Sequence, residues 1–215
     1  EATANATDSV MLNAGTINGS MYGGALGQKN GVGGATKDVA ANVYGAVQVD
    51  VNGGIVLRRE GDTGGSYSGG IYGCNNYNGS PQSSVDVDIW HHNTAKPIDD
   101  KYTLFAVYGG GNQADYVAGT PKVKVHYCEN RINYVYGGGN GDYDYDGTAV
   151  YKKGSDHNVP ANKLSGQCAT SYTKPELNAA FVDINLAEGG SVENSFGGGN
   201  AADVRSAITH INGNG

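Results

Sequence analysis

The sequence predicts an all-β fold, a parallel β-helix (β-solenoid) of about six coils with one long insertion loop. Three observations predict it: a composition that favours strands, a recurring aromatic–glycine block, and short segments in which apolar and polar residues alternate. Glycine accounts for 36 of the 215 residues and charged residues for only 16%. Glycine destabilises helix interiors, whereas β-branched and aromatic residues favour strands. The composition therefore excludes a helical bundle or a coiled coil.

An aromatic residue followed by three glycines and an asparagine occurs three times in the chain. The three copies consist of Tyr108, Gly109, Gly110, Gly111 and Asn112; Tyr136, Gly137, Gly138, Gly139 and Asn140; and Phe196, Gly197, Gly198, Gly199 and Asn200. Weaker copies begin at Tyr22, Tyr44 and Tyr72, and the spacings between the six aromatic residues are 22, 28, 36, 28 and 60 residues. Such regularity indicates a repeat unit of about 28 residues with insertions.

Between these blocks lie segments in which every second residue is apolar, as in Val47, Val49 and Val51. This alternation predicts strands with one buried and one solvated face. Aligning the segments on Val49, Val87, Val125 and Ile184 places Gln48, Asp86, Lys124 and Asp183 in one outward row. The same alignment sets Asp50 beside Asp88. The last segment loses this phase, because Ile208 and Ile211 cannot both point inward on a flat strand, and we expect a bulge or a turn there.

One such unit cannot bury its apolar face alone, but stacked units bury a continuous core. Stacking would place Tyr108, Tyr136 and Phe196 in one aromatic file and Asn112, Asn140 and Asn200 in an amide ladder. The glycine triplets would allow tight corners and close backbone approach. The alternative fold is a β-propeller, but its blades of about 40–45 residues exceed the 28-residue spacing. We expect a short arm at residues 1–9 and one domain at 10–215, with the insertion at about 141–175.

The repeated Val-Tyr-Gly-Gly-Gly-Asn blocks and the Val-x-Val-x-Ile strands between them resemble the glycine-rich β-solenoid repeats of secreted or surface proteins of Bacteroidota-type bacteria. This resemblance covers most of residues 10–215. It implies a surface adhesin or a component of an extracellular fibre, and it brings no catalytic residues. The localisation it implies is extracellular or at the bacterial cell surface. An amino terminus without an initiator Met, typical of a processed or cut chain, agrees with that expectation.

Charge and cysteine content exclude several classes of function. The net charge of −7 argues against a nucleic-acid partner, which requires a clustered cationic surface. No run of 18 apolar residues is present, so no transmembrane helix is predicted. Cys74, Cys128 and Cys168 form no CxxC pair, which makes a zinc site unfavourable. We interpret them as small apolar core residues, although one intrachain disulfide among the three stays open.

Alternating carboxylates at Asp142, Asp144 and Asp146, followed by Gly147, are the sharpest local motif. Such oxygens can surround one calcium ion, as in the first half of an EF-hand loop. Lys153 stands at the twelfth position, where an EF-hand has Glu, so this is not an EF-hand. The two readings are a calcium loop and a solvated acidic loop tip.

Trp90, the only tryptophan, precedes His91 and His92 at the end of a predicted strand. Adjacent residues on a strand point to opposite sides, so the two histidines cannot easily share a metal. Surface turn residues are the better interpretation, with Trp90 either covering the core or offering a platform for a sugar. No nucleophile motif is present, and no catalytic residue is assigned.

Neither end of the predicted stack shows a polar cap. Apolar residues lie near both ends: Val10, Leu12, Ile17, Ile208 and Ile211. Complementary open ends generate filaments, so we expect a structural subunit that polymerises head to tail, with itself as its main partner. The alternative is a carbohydrate-binding or carbohydrate-active protein that uses a surface groove and the calcium loop, with glycans or a host surface as partner. A third interpretation is a fragment of a longer adhesin.

Overall fold

A computed structural model describes residues 6–30, 34–59, 68–90, 102–116, 118–126, 131–141, 149–153, 157–160, 176–177, 179–186, 190–200 and 202–213. Within these ranges the regular elements are strands, and no residue is helical. They are β1 (Thr7–Leu12), β2 (Thr16–Asn18), β3 (Met21–Tyr22), β4 (Ala46–Val51), β5 (Ile55–Leu57), β6 (Gly70–Tyr72), β7 (Val85–Ile89), β8 (Leu104–Tyr108), β9 (Lys122–Val125), β10 (Arg131–Tyr136), β11 (Ala149–Lys153), β12 (His157–Pro160), β13 (Glu176–Leu177), β14 (Ala180–Asn185), β15 (Ser191–Phe196), β16 (Asp203–Val204) and β17 (Ala207–Asn212).

Two parallel sheets contain most of these strands. The first, which we call sheet A, has six strands in the order β1-β4-β7-β9-β14-β17. The second, sheet B, has seven: β15-β10-β8-β5-β2 form one path, and β6 pairs with both β8 and β3. Two smaller pairs lie outside them, the antiparallel β11–β12 and the parallel β13–β16. The chain visits sheets A and B alternately.

This arrangement corrects the expected parallel β-helix of about six coils. Thirteen of the 17 described strands belong to two separate parallel sheets of six and seven strands, and sheet B branches at β8. The connections are unequal: only residues 13–15 separate β1 from β2, whereas residues 137–179 lie between β10 and β14. The repeat therefore specifies individual strands and not a regular coil. Fully parallel sheets are most typical of α/β proteins, but here they occur without a described helix.

The register of sheet A differs from the expected one in its second half. Val49 pairs with Val87 and Asp50 with Asp88, as the alternation predicts. The next partners in the row are Val123 and Val182, two residues before the expected Val125 and Ile184. Lys124 consequently lies opposite Asp88 and not opposite Asp86.

Strand β17 is regular, which corrects the bulge or turn expected near the end of the chain. Its six residues pair in sequence with the six residues of β14, without a register shift. Ile211 pairs with the inward Ile184, and Ile208 pairs with the half-exposed Phe181. The two isoleucines therefore point to opposite faces of sheet A, and a regular strand accommodates both without a bulge.

The hydrophobic core lies between sheets A and B. Inward residues of β4, such as Val47, Val49 and Val51, belong to one buried cluster with Val56, Leu104 and Ile132 of sheet B. Most of these side chains are less than 2% exposed. Burying a valine or leucine side chain contributes roughly 1.5–3 kcal/mol, so the core is the main source of stability.

On sheet B, five aromatic rings form one continuous stack. The rings of Tyr22, Tyr72, Tyr108, Tyr136 and Phe196 follow one another at centroid distances of 4.7–5.0 Å, with interplanar angles of 4–11°. The three rings that the repeat predicted as a file are thus consecutive members. Tyr44, the aromatic residue of one of the three weaker copies, is 55% exposed and belongs to no ring pair described for the stack.

An amide ladder runs beside the rings. Asn200 Nδ2 donates to Asn140 Oδ1 at 3.0 Å, Asn140 Nδ2 to Asn112 Oδ1 at 2.7 Å, and Asn112 Nδ2 to Asn76 Oδ1 at 2.9 Å. Asn140 is fully buried and Asn112 is 6% exposed. Buried amides are costly without partners, so each asparagine depends on its neighbour in the next repeat.

The glycine triplets are required where the backbone of one repeat lies against the next. A Cβ atom on Gly110 would lie 2.7 Å from Gly139 N, and one on Gly138 would lie 2.7 Å from Gly199 N. The third equivalent, Gly198, has no atom within 4 Å of its would-be Cβ. The repeat therefore supplies an internal control for the role of glycine.

We predict that Gly110→Ala lowers the free energy of unfolding by about 1–3 kcal/mol, because the methyl group forces adjacent backbones apart. Urea unfolding of dilute protein, followed by circular dichroism, measures this. Gly198→Ala, at the equivalent position, should leave the midpoint unchanged. Equal destabilisation by both would show that glycine is needed for its conformation and not for close approach.

Alkaline pH should destabilise the protein through two buried groups. Burial raises the pKa of the Cys74 thiol, and it also raises the pKa of Tyr116, whose hydroxyl donates to Ser83 O at 2.7 Å. A group with a raised pKa in the folded state stabilises fully below its unfolded pKa, and this contribution is lost as pH rises beyond it. We expect the urea midpoint to fall from pH 7 to about pH 10.

Cys74→Ala and Tyr116→Phe should each reduce the size of that fall, although both also alter packing at neutral pH. Tyr44→Phe, at a residue that is 55% exposed, is the matched control for the removal of one phenol hydroxyl. A fall of the same size in all three variants would assign the effect to other groups.

Candidate functional site

Polar side chains from three neighbouring strands meet on the outer surface of sheet A. We call Gln48, Asp50, Asp88, Trp90, Lys124 and His126 the sheet-face cluster. Strands β4, β7 and β9 place them together, because outward positions on paired parallel strands lie side by side. The cluster brings together two carboxylates, one cation, one imidazole, one amide and the only indole.

The two carboxylates of the cluster are bridged by one amide. Gln48 Nε2 donates to Asp50 Oδ1 at 2.9 Å and to Asp88 Oδ2 at 2.8 Å. Lys124 Nζ lies 3.8 Å from Asp88 Oδ1 and 3.5 Å from Asp86 Oδ1. The like-charge contact that the sequence implies is thus compensated by a donor and a cation.

Trp90 and His126 form a second layer over these carboxylates. Their rings are stacked with centroids 4.0 Å apart and an interplanar angle of 5°. Trp90 Nε1 donates to Asp50 Oδ1 at 3.1 Å, and His126 Nε2 lies 2.5 Å from Asp88 Oδ1. Asp88 is only 5% exposed, whereas Trp90 is 40% exposed. The indole ring of Trp90 is therefore held in place close to the buried carboxylate of Asp88.

The sequence singled out Trp90 but not His126, its stacking partner. His126 follows β9, and the pairing predicted for β9 is displaced by two residues from the observed one. The predicted pairing therefore did not place the two rings in contact. The signal that could have revealed it is the row of outward residues on β4, β7 and β9. The neighbouring His91 and His92 lie outside the described residues.

The residues assigned to the assembly ends lie on edge strands of the two sheets. Val10 and Leu12 belong to β1 and Ile17 to β2, while Ile208 and Ile211 belong to β17. Leu12 is 9% exposed and Val10 and Ile17 are half-buried, but Ile208 and Ile211 are 56% and 59% exposed. Thr7, Asp8 and Ser9, predicted as part of an arm, pair with β4.

Asp142, Asp144 and Asp146, the predicted calcium loop, lie outside the described residues, and so do Cys128 and Cys168. Among the residues that are described, no group of three or more His, Cys, Asp or Glu side chains could hold a metal ion. Cys74 is a free, buried thiol whose Sγ donates to Gly109 O at 3.5 Å. It stands at the position of the second glycine in the block.

No protein-family model matches the chain, and neither the curated proteins nor the solved structures show a match to it. Over the described ranges, no helix is long and apolar enough to cross a membrane. Functional inference therefore depends on the geometry of the sheets and their surfaces.

We predict that Asp88→Ala lowers the free energy of unfolding by about 1–3 kcal/mol, because Gln48, Lys124 and His126 lose a buried acceptor. Thermal or urea unfolding measures the change. Asp183→Ala removes a half-buried carboxylate from the same outward row and should cost less. If the two variants behave alike, the hydrogen bonds of the sheet-face cluster contribute no measurable stability.

Proposed function

We propose that the chain is a structural subunit of an extracellular or cell-surface filament and assembles end to end through β1 and β17, the edge strands of sheet A. The observation that supports the proposal most is that the inward row of sheet A reaches both of its edge strands, β1 and β17. Localisation at the bacterial surface and a role in adhesion or a biofilm matrix are part of the proposal, and they derive from the repeat resemblance.

The edges at the two ends are of complementary kinds. In the described part of the chain, β1 pairs only with β4, and β17 pairs only with β14. Each therefore presents one row of backbone groups to further strands, and such edges template the addition of another chain. Because all pairings in sheet A are parallel, β1 of a second copy could continue the sheet beyond β17 without reversing direction.

The inward row of sheet A would continue across this junction. Leu12 begins the inward row that passes through Val51, Ile89, Val125 and Ile184 and ends at Ile211. On sheet B, the ring stack begins at Tyr22 and ends at Phe196, which is 46% exposed. A second copy whose β1 extends sheet A beyond β17 would set Leu12 against Ile211. The inward row has six members and the ring stack five, so in this placement Tyr22 lies one strand spacing short of stacking on Phe196.

Exposed apolar surface at these edges supplies a driving force. Met11, Ile208 and Ile211 are each between 56% and 59% exposed. Burial of apolar surface contributes about 25 cal/mol per Å². Another copy would cover Ile211, which continues the inward row, while Met11 and Ile208 lie on the outer face of the sheet beside the junction.

A carbohydrate-binding or carbohydrate-active protein is the second candidate, and the sheet-face cluster favours it. Trp90 offers a partly exposed aromatic ring beside the carboxylates of Asp50 and Asp88. Aromatic side chains with an apolar face and a polar edge suit surfaces that bind amphipathic ligands. Filament formation is preferred because the inward row of sheet A reaches both of its edge strands.

We expect purified wild-type protein to form filaments in negative-stain electron microscopy, with an axial repeat of about 29 Å for six strands. Ile211→Asp should fold normally, because Ile211 is 59% exposed, but it should shorten or abolish the filaments, because its carboxylate would be buried against Leu12 of the next copy. Lys122→Ala, on an interior strand, is the control and should assemble as the wild type does.

Discrete monomers of the wild-type protein would contradict the proposal, as would filaments of Ile211→Asp that match those of the wild type. The same images, recorded with and without a calcium chelator, test the proposed calcium loop at Asp142, Asp144 and Asp146. Filaments that dissolve only on chelation would make a bound calcium ion part of the assembly.

A further inference from the structure

A cavity of about 390 Å³, open on one side, shares no lining residue with the sheet-face cluster. It is lined by three loop regions, which follow β3, β6 and β8. Its size is within the range of roughly 300–1,000 Å³ that is typical of small-molecule sites. Neither the repeat nor the proposed assembly accounts for it.

The loops around the cavity are held in place by hydrogen bonds between repeats. Gln28 and Val39 exchange two backbone hydrogen bonds of 2.8 and 3.0 Å, and Asn78 Nδ2 donates to Gln28 O at 3.0 Å. Gln113 N donates to Asn76 O at 2.7 Å. A preformed cavity binds a ligand without the entropic cost of ordering its walls.

The lining is rich in groups that both donate and accept hydrogen bonds. Asn42, Asn78, Ser80 and Gln113 all contribute to it, and Gln113 is only 4% exposed. Amide and hydroxyl side chains complement hydroxyl groups, which also donate and accept. Tyr77, which is half-buried, adds an aromatic ring to the same wall.

The charges in the cavity define the class of ligand further. Lys29 is the cation, and Asp38 and Asp115 are the two carboxylates in the lining. Their sum of −1 disfavours a phosphorylated or carboxylated ligand by Coulomb repulsion. The polar lining in turn disfavours a purely apolar one, which could not replace the water lost by these groups.

We infer that this cavity binds a neutral sugar residue, such as the end of a glycan chain, with Tyr77 against the ring and Gln113 as a hydrogen-bonding partner of its hydroxyl groups. Its lining contains neither Trp90 nor any residue of β1 or β17, so the site does not depend on filament formation. It would give a structural subunit the ability to bind a polysaccharide.

Saturation-transfer NMR with D-glucose, D-galactose, D-mannose, L-fucose and N-acetyl-D-glucosamine tests the inference on the whole chain. We expect saturation transfer to at least one of these sugars. Gln113→Leu and Tyr77→Ala should weaken that binding about tenfold or more, while Lys122→Ala leaves it unchanged. If the other two variants fail to fold, Lys29→Ala, which also changes a side chain of the cavity lining, is measured in their place.

Transfer to none of the five sugars, or equal transfer in the wild type and all cavity variants, would overturn the inference. Loss of transfer in Trp90→Ala alone would also overturn it, because binding would then belong to the sheet-face cluster. Electron microscopy of the same samples reports assembly separately, so failure of the cavity site and failure of the filament proposal are distinguishable.

Discussion

Close approach of glycine backbones between successive repeats is the constraint on which the rest of the structure depends. Gly109 N donates to Tyr136 O at 3.0 Å, and Gly137 N donates to Phe196 O at 2.9 Å. These hydrogen bonds continue each strand of sheet B into the following turn. They hold the repeats at one separation, and at that separation the aromatic rings stack and the asparagine amides meet. A larger side chain at these positions would disturb rings, amides and sheet together.

Several features could be predicted from the sequence because they depend on local pattern. The alternation in β4 and β7 identified Val49 and Val87 as partners, and the repeated blocks identified Tyr108, Tyr136 and Phe196 as neighbours. Asn112, Asn140 and Asn200 also meet as their common position suggested. In each case, the same residue type recurs at the same place in the unit.

Other features depend on distances along the chain that the pattern does not fix. Strand β9 has two inward valines, Val123 and Val125, and pairing through either of them satisfies the alternation. The predicted register was therefore wrong by two residues. The contact between Trp90 and His126 followed from the true register and was missed. The regular coil was also wrong, because unequal connections leave the strands in two sheets. The cavity near Tyr77 is built from irregular loops, whose shape no periodicity reports.

The parallel pairing of every strand in sheets A and B gives the molecule a direction. Among the described strands, β1 forms one edge of sheet A and β17 the other, and no rotation in the plane of the sheet makes the two equivalent. Any assembly that continues these sheets would be polar, with unlike tips that add subunits at different rates. If every filament is anchored to a surface by the same tip, every filament therefore exposes the opposite tip to the environment.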